Sequence, residues 1–335
     1  MNRQEILNIL KAIKPALANK EIIEQTTCFI FQRKTVYTYN DEVMISHPIN
    51  LPIKGAVPAK ELYDLLNSVE AENIKIKQDE REIVIEGEGS KFKAGISLEE
   101  KITLPIKDIK LTDSWIRLSK CFCEGVQFCL FSTGTDYSNL VLTHIHVNKE
   151  YIESSDNFRL TRYSSRNRTC MLIPITAAKE LIKYSPTHYQ KTKGWIHCKN
   201  KEGVVFSFRI HSSEYPNTSD ILKMKDATDI RFPSSLLTSL INAESLCKEE
   251  LSGDKFIKVS IKEKEMVIKS QGDVGWYKET FNLRRSYGKK KIEFEINSKS
   301  FRDILSHLKK ATISKNKMKF EGDNFTHVVV LKGVA

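Results

Sequence analysis

Three ten-residue stretches decide the fold: Val57-Pro-Ala-Lys-Glu-Leu-Tyr-Asp-Leu-Leu66, Ile173-Pro-Ile-Thr-Ala-Ala-Lys-Glu-Leu-Ile182 and Ile296-Asn-Ser-Lys-Ser-Phe-Arg-Asp-Ile-Leu305. Each follows a strand-like run, opens beside a Pro or Ser suited to a helix start, and then spaces its apolar residues three and four apart. Matching Leu62, Leu181 and Phe301 gives separations of 119 and 120 residues. The turn signals keep nearly the same period. Asn40-Asp41, Asp156-Asn157 and Gly272-Asp273 follow one another at 116 residues, and Gly322-Asp323 marks a further turn. Two kinds of landmark on one period point to an internal threefold repeat.

A second helix is expected at the head of each repeat. Over 5–17 the spacing puts Ile6, Leu10, Ile13 and Leu17 on one face, with Asn2 and Glu5 as a capping pair. The stretches 113–129 and 233–247 repeat the arrangement, with Asp113 as N-cap and Pro233 in the first turn. Between the helices lie alternating or β-branched and aromatic runs at 29–31, 35–39, 74–85, 195–197, 204–210, 256–261 and 266–268. Two short helices cover that much apolar strand surface only when sheets pack beneath them. The fold class expected is therefore α+β, with three tandem domains at 1–105, 106–222 and 223–335.

The formal net charge of +11 is unevenly spread: −2 over 1–105, +5 over 106–222 and +8 over 223–335. A field of that shape suits nucleic acid or another polyanion. Lys11 and Lys14, Arg117 and Lys120, and Lys179 and Lys183 sit three or four apart on the expected helices, and Lys20 follows the first of them. Loop clusters add Arg166, Arg168, Lys191 and Lys193, then Arg284-Arg285 and Lys289-Lys290-Lys291. Helices that present Lys and Arg to one side suit phosphate contacts, which position a protein without reading bases.

Catalytic signatures are missing. The sequence has no Gly-rich phosphate loop, nucleophile elbow or H-E-x-x-H motif. Cys121 and Cys123 stand two apart on an expected helix and diverge, while His144 and His146 share a strand face, so a metal-dependent nuclease built on the histidines is the enzyme alternative. No metal and no cofactor is expected. The seven scattered cysteines fit free thiols in a reducing cytosol, and no apolar run is long enough to span a membrane.

The chain resembles the bacterial DNA polymerase III beta subunits, the sliding clamps, along nearly its whole length. Val57-Pro-Ala-Lys-Glu-Leu62 is similar to the start of the family's second helix, and Ser154-Ser-Asp-Asn-Phe-Arg-Leu160 to its A-T-D-G-H-R-L segment. Ser213-Glu-Tyr-Pro-Asn-Thr-Ser-Asp-Ile-Leu222 is similar to the run that closes the family's second domain, and His327-Val-Val-Val-Leu331 to its Y-V-V/I-M-P-M-R-L tail.

The resemblance implies a head-to-tail homodimer of three-domain subunits, a ring with helices on its inner face and sheets on its outer face. It implies a non-enzymatic processivity factor, cytoplasmic and nucleoid-associated, that encircles double-stranded DNA without sequence preference. Polymerase and clamp loader would be held through short peptide motifs, in a pocket carried onto Leu142, Ser155, Arg159, Leu160, Val328 and Val330. The dimer contact would use Phe92 and Ala94 against Ser245 and Leu246. The opening helix of the third repeat has no Lys or Arg before Lys248, so its share of DNA-facing charge falls to Arg302, Lys309 and Lys310. Departures are Asn157-Phe158 for Gly-His, Ser300 for a tyrosine, Lys332 for a methionine, Lys223 for a proline, and small residues at Ala94 and Ser245. The competing reading is a basic binding protein of the same fold that closes no ring.

Overall fold

The computed structural model describes residues 1–89, 91–109, 111–250, 253–289, 291–314 and 316–333. Six α-helices occur among them: α1 Arg3–Ile13, α2 Ala59–Ser68, α3 Phe122–Leu130, α4 Ile175–Leu181, α5 Leu236–Ser245 and α6 Ser298–Leu305. Helix, strands, helix, strands recurs three times along the chain, and Leu62, Leu181 and Phe301 are all buried in the core. Two of the turn landmarks repeat in conformation as well as position. Asp41 and Asn157 both take left-handed backbone, φ 73° and 74°, which short polar side chains tolerate.

The chain forms two compact units, residues 1–123 with 171–212, and residues 124–170 with 213–335. In the first, an antiparallel eight-stranded sheet runs Gly55–Pro58, Cys28–Gln32, Thr35–Tyr39, Val43–Pro48, Val205–Arg209, Trp195–Lys199, His188–Thr192, Ile116–Arg117. Its central seam pairs strands of different repeats, with Phe206 opposite Ile45 and Phe208 opposite Val43. A three-stranded sheet (Ile74–Asp79, Glu82–Gly87, Lys93–Ser97) completes the unit, and α1 packs on α2 through Ile6, Leu7, Leu10 and Ile13.

The second unit repeats the plan. Strands of the middle repeat meet those of the third where Arg159–Ser164 pairs with Phe325–Val330, Leu160 opposite Val328 and Tyr163 opposite Phe325. A four-stranded sheet, in the order Trp276–Asn282, Glu265–Gln271, Phe256–Lys262, Ile292–Asn297, carries α5, which also packs on α6. The middle repeat is divided between the units because each large sheet joins two consecutive repeats.

Helix boundaries differ from expectation for identifiable reasons. Asn2 does cap α1, accepting from the amides of Gln4 and Glu5, but Pro15 has no N–H to extend the helix and 14–16 tighten into a 3₁₀ turn. The helix expected over 113–129 forms only as Phe122–Leu130, and Asp113 caps nothing. Ile116–Arg117 instead joins the sheet edge opposite Tyr189 and His188, and the Leu118 amide donates to the Thr187 carbonyl. Arg117 and Lys120 therefore do not lie on a helix. Pro233 precedes α5 rather than opening it, since the Leu236 amide closes a turn onto the Pro233 carbonyl.

Candidate nucleic-acid interface and peptide site

Nine of the twelve expected DNA-facing residues belong to the first unit. Lys11, Lys14, Lys20, Arg117, Lys120, Lys179, Lys183, Lys191 and Lys193 are all exposed there. The Tyr184 hydroxyl donates to the Ala12 carbonyl, tying the end of α4 to the end of α1. That bond brings Lys183 into the neighbourhood of Lys11 and Lys14. Burial pushes the Tyr184 phenol far above its ordinary range, so it stays a donor at every physiological pH. Lys14 lies over the Tyr63 ring at 4.3 Å, which steadies its stem, and Lys183 pairs with Glu180 at 2.8 Å, which subtracts from its free charge.

Two of the three cations expected in the second unit are less available. The Arg302 guanidinium sits 2.8 Å from the Glu244 carboxylate and is spent on joining α6 to α5. Lys309 is half-buried and its carbonyl accepts from Phe232. Lys310 is exposed and stands directly opposite Arg231 across the strand pair. Of the loop lysines, Lys291 pairs with Glu293, and Lys290 lies outside the described residues.

The six expected peptide-site residues all belong to the second unit, and five of them lie on or beside one strand seam. Ser155 faces Leu160 across one ladder and Leu160 faces Val328 across the next. Leu142, Leu160 and Val328 are buried, whereas Val330 is 45% exposed. The Ser155 hydroxyl donates to the Arg159 carbonyl, bracing the Asp156-Asn157 turn. Arg159 is held by two carboxylates, Asp156 at 2.7 Å and Asp303 at 3.5 Å, neither of which the sequence assigned to the site. Phe158 stands 63% exposed, and its carbonyl receives the Val330 amide, so the two apolar side chains belong to neighbouring exposed positions. The tail beyond bends to the four-stranded sheet: Lys332 exchanges both backbone bonds with Glu295, pairs with Glu250 at 3.2 Å and covers the Phe256 ring at 3.6 Å.

The expected dimer residues occupy edge positions. Ala94 lies on Lys93–Ser97, the edge of the three-stranded sheet, and half-buried Phe92 just precedes it. In the other unit Ser245 is exposed at the end of α5, and Leu246 packs against Gly272 and Gly275. Beside that turn Val274 and Trp276 are 90% and 67% exposed, an apolar pair with no sequence periodicity to mark it.

The metal alternative finds no support in the geometry. His144 is buried with its Nδ1 on the Leu140 carbonyl, and His146 is engaged by Glu153 at 3.0 Å. Among the described residues no group of three or more His, Cys, Asp or Glu side chains is placed to hold a metal ion. None of the described helices is long and apolar enough to cross a membrane.

No protein-family model matches the sequence, and no curated protein matches it. Solved structures do. The DNA polymerase sliding clamp of Bacillus subtilis superposes with a TM-score of 0.84 at 14% identity, over 100% of this chain and 98% of its own. The fold is that of a DNA sliding clamp. The DNA polymerase III beta chain of Streptococcus pneumoniae matches with a TM-score of 0.84 at 17% identity, covering 99% and 98%. The subunit beta of Pseudomonas aeruginosa matches at 0.80 and 14%, again over 99% and 98%. The clamp fold thus accounts for the chain from end to end, while sequence identity has drifted to a level at which only architecture is shared.

Proposed function

We propose that this protein is a sliding clamp: a non-enzymatic processivity factor for a DNA polymerase, closing as a head-to-tail homodimer around duplex DNA. The observation that carries the reading is the clamp fold over the whole chain, covering nearly all of each solved clamp in return. Its three domains are 1–105, 106–222 and 223–335, and each repeat supplies an equivalent arc of the ring. A heterologous contact repeated around a closed circle needs two different, complementary surfaces on the subunit; Phe92 and Ala94 belong to one and Ser245 and Leu246 to the other. Trp276 and Val274 extend the second surface.

Holding DNA by topology requires only diffuse attraction to phosphates, and the exposed lysines and Arg117 of the first unit provide it without base contacts. Polymerase and clamp loader dock through short peptides on the exposed shelf of Phe158 and Val330, next to Arg159 and above Leu142, Leu160 and Val328. Ser155 fixes the turn that presents this shelf. A protein acting in this way is expected in the cytoplasm, on the nucleoid.

Topology gives the direct test. Loaded on a nicked circular duplex, the protein is expected to stay bound through a high-salt wash and to leave when the circle is cut by a restriction enzyme. Equal loss from circle and linear DNA would leave a binding protein that closes no ring. A Lys11→Glu/Lys14→Glu/Lys179→Glu/Lys183→Glu variant should fold normally but load poorly. Its salt dependence of DNA binding should flatten by about one per lysine that touches a phosphate. An unchanged salt slope would remove these residues from the DNA path.

A further inference from the structure

Beyond the clamp reading, the second unit holds a cavity of about 560 Å³ whose walls include Arg231, Arg284, Arg285 and Lys310. Arg231 and Lys310 are direct cross-strand partners on the edge of the large sheet, a placement in which like charges destabilise the pair. Arg284 and Arg285 come from the loop after Trp276–Asn282, and Tyr287 locks that loop in place: its hydroxyl accepts from the Arg231 amide at 3.0 Å. Among the described residues none of the four cations has a carboxylate partner. The one acidic residue lining the cavity, Asp229, is occupied by the Thr312 hydroxyl at 2.9 Å. Some other cations of this unit are neutralised, as Arg302 is by Glu244 and Lys258 by Glu293. Four uncompensated charges converging on a concavity of ligand size, beside the Tyr287 ring, make a site that lacks its counter-anion.

We propose that this cavity binds a phosphate-dense anion of the oligophosphate or nucleotide class. Planar guanidinium groups from three arginines can each take two phosphate oxygens, and Lys310 adds a point charge. Concavity separates this site from the first-unit lysines, which are spread over helices and suit the outside of a duplex. The phosphate can come from a free nucleotide or from the phosphorylated end of a strand, and both present the same chemistry to the cavity.

The test is thermal unfolding of the full chain with millimolar tripolyphosphate at matched ionic strength. The midpoint is expected to rise by several degrees, since a ligand that binds only the folded state stabilises it. In Arg284→Ala/Arg285→Ala and in Arg231→Ala the rise should vanish, while the unliganded midpoint stays level or increases as repulsion is relieved. In Lys11→Ala/Lys14→Ala the rise should persist. Loss of the rise in that control as well, or its survival in the arginine variants, would overturn the proposal, as would no rise in the native protein. Displacement of tripolyphosphate by ATP assigns the free-nucleotide source; displacement by a 5′-phosphorylated but not an unphosphorylated oligonucleotide assigns the strand end. Neither readout needs a closed ring, so the site stands or falls apart from the clamp reading.

Discussion

Lowering the pH from 7.5 to 5 is expected to remove about 2 kcal/mol of stability for each of two buried histidines, one in each unit. His197 lies buried on an interior strand of the first large sheet, its Nδ1 paired with the Ser207 hydroxyl and its Nε2 with the Thr192 hydroxyl, both at 2.8 Å. Burial lowers its pKa from 6.5 to about 4. His327 lies in the second unit, with Nδ1 against the Thr161 hydroxyl at 2.9 Å and its ring near those of Phe131 and Phe320. Burial, reinforced by the nearby Arg159 and His307, lowers its pKa from 6.5 to about 3.

Both imidazoles are therefore neutral when folded and take a proton only on unfolding. Their contribution is complete above pH 6.5 and is lost as pH falls from 6.5 towards the folded values. Each loses roughly 1.4 kcal/mol per pH unit in that window. The carboxylates held low by their partners, Glu153 and Asp41 among them, begin to matter only below their ordinary range, so the interval from 7.5 to 5 isolates the histidines. Urea midpoints measured across it should fall for the native protein. His197→Gln and His327→Gln, which keep a hydrogen-bonding side chain but cannot titrate, should each flatten the decline by about half. A native midpoint constant over that interval would mean that the folded protein accepts charge on both rings.

The repeat was legible in the sequence because its markers are local. A proline or polar residue ahead of an amphipathic turn, and an Asx residue in a hairpin, act within a few positions, so 57–66, 173–182 and 296–305 announced their helices. The stretch 113–121 misled for an equally local reason. Trp115, Leu118 and Phe122 stand three and four apart as on a helix, yet the backbone of 116–118 is drawn into the edge of a sheet by 187–189. Periodicity carries no information about that competitor. Strand partners are hidden in the same way: nothing in 43–48 names 205–209 as its neighbour.

Of the candidate site, the charges could be read in the sequence but their pairing could not. Arg302 and Glu244 are 58 residues apart, and Arg231 is 54 from Arg285, yet one cation is neutralised and the other is not. Whether a basic residue is available to a polyanion is decided by such distant partners. The first-unit lysines are therefore the more available candidates for the DNA contact proposed above, and the uncompensated cluster at Arg231 is a separate feature that composition alone could not single out.

Removing the Glu153 carboxylate is expected to cost about 3–5 kcal/mol, the range for breaking a buried charge pair by deleting one partner. Glu153 is 1% exposed and receives Arg162 at 2.9 Å, Thr218 at 2.6 Å and His146 at 3.0 Å. Burial pushes its carboxyl up, but the bonds from His146 and Thr218 and the Arg162 guanidinium outweigh that and hold it below its ordinary value. Glu153→Leu would leave Arg162 without its counter-charge and Thr218 without its acceptor; Glu153→Gln would keep the shape and lose the charge, with a smaller effect. Because the carboxyl is depressed when folded, its contribution is complete above the usual carboxylate range and is lost as pH falls below 4.5. The same network pins the segment that leads into the third repeat, through Thr218 and through Tyr215 stacked on His146 at 4.9 Å. Urea unfolding of Glu153→Leu should show the loss, and limited proteolysis should open first between 213 and 222. A loss below about 1 kcal/mol would reduce Glu153 to the worth of a surface ion pair. Intact resistance at 213–222 would free the connecting segment from it.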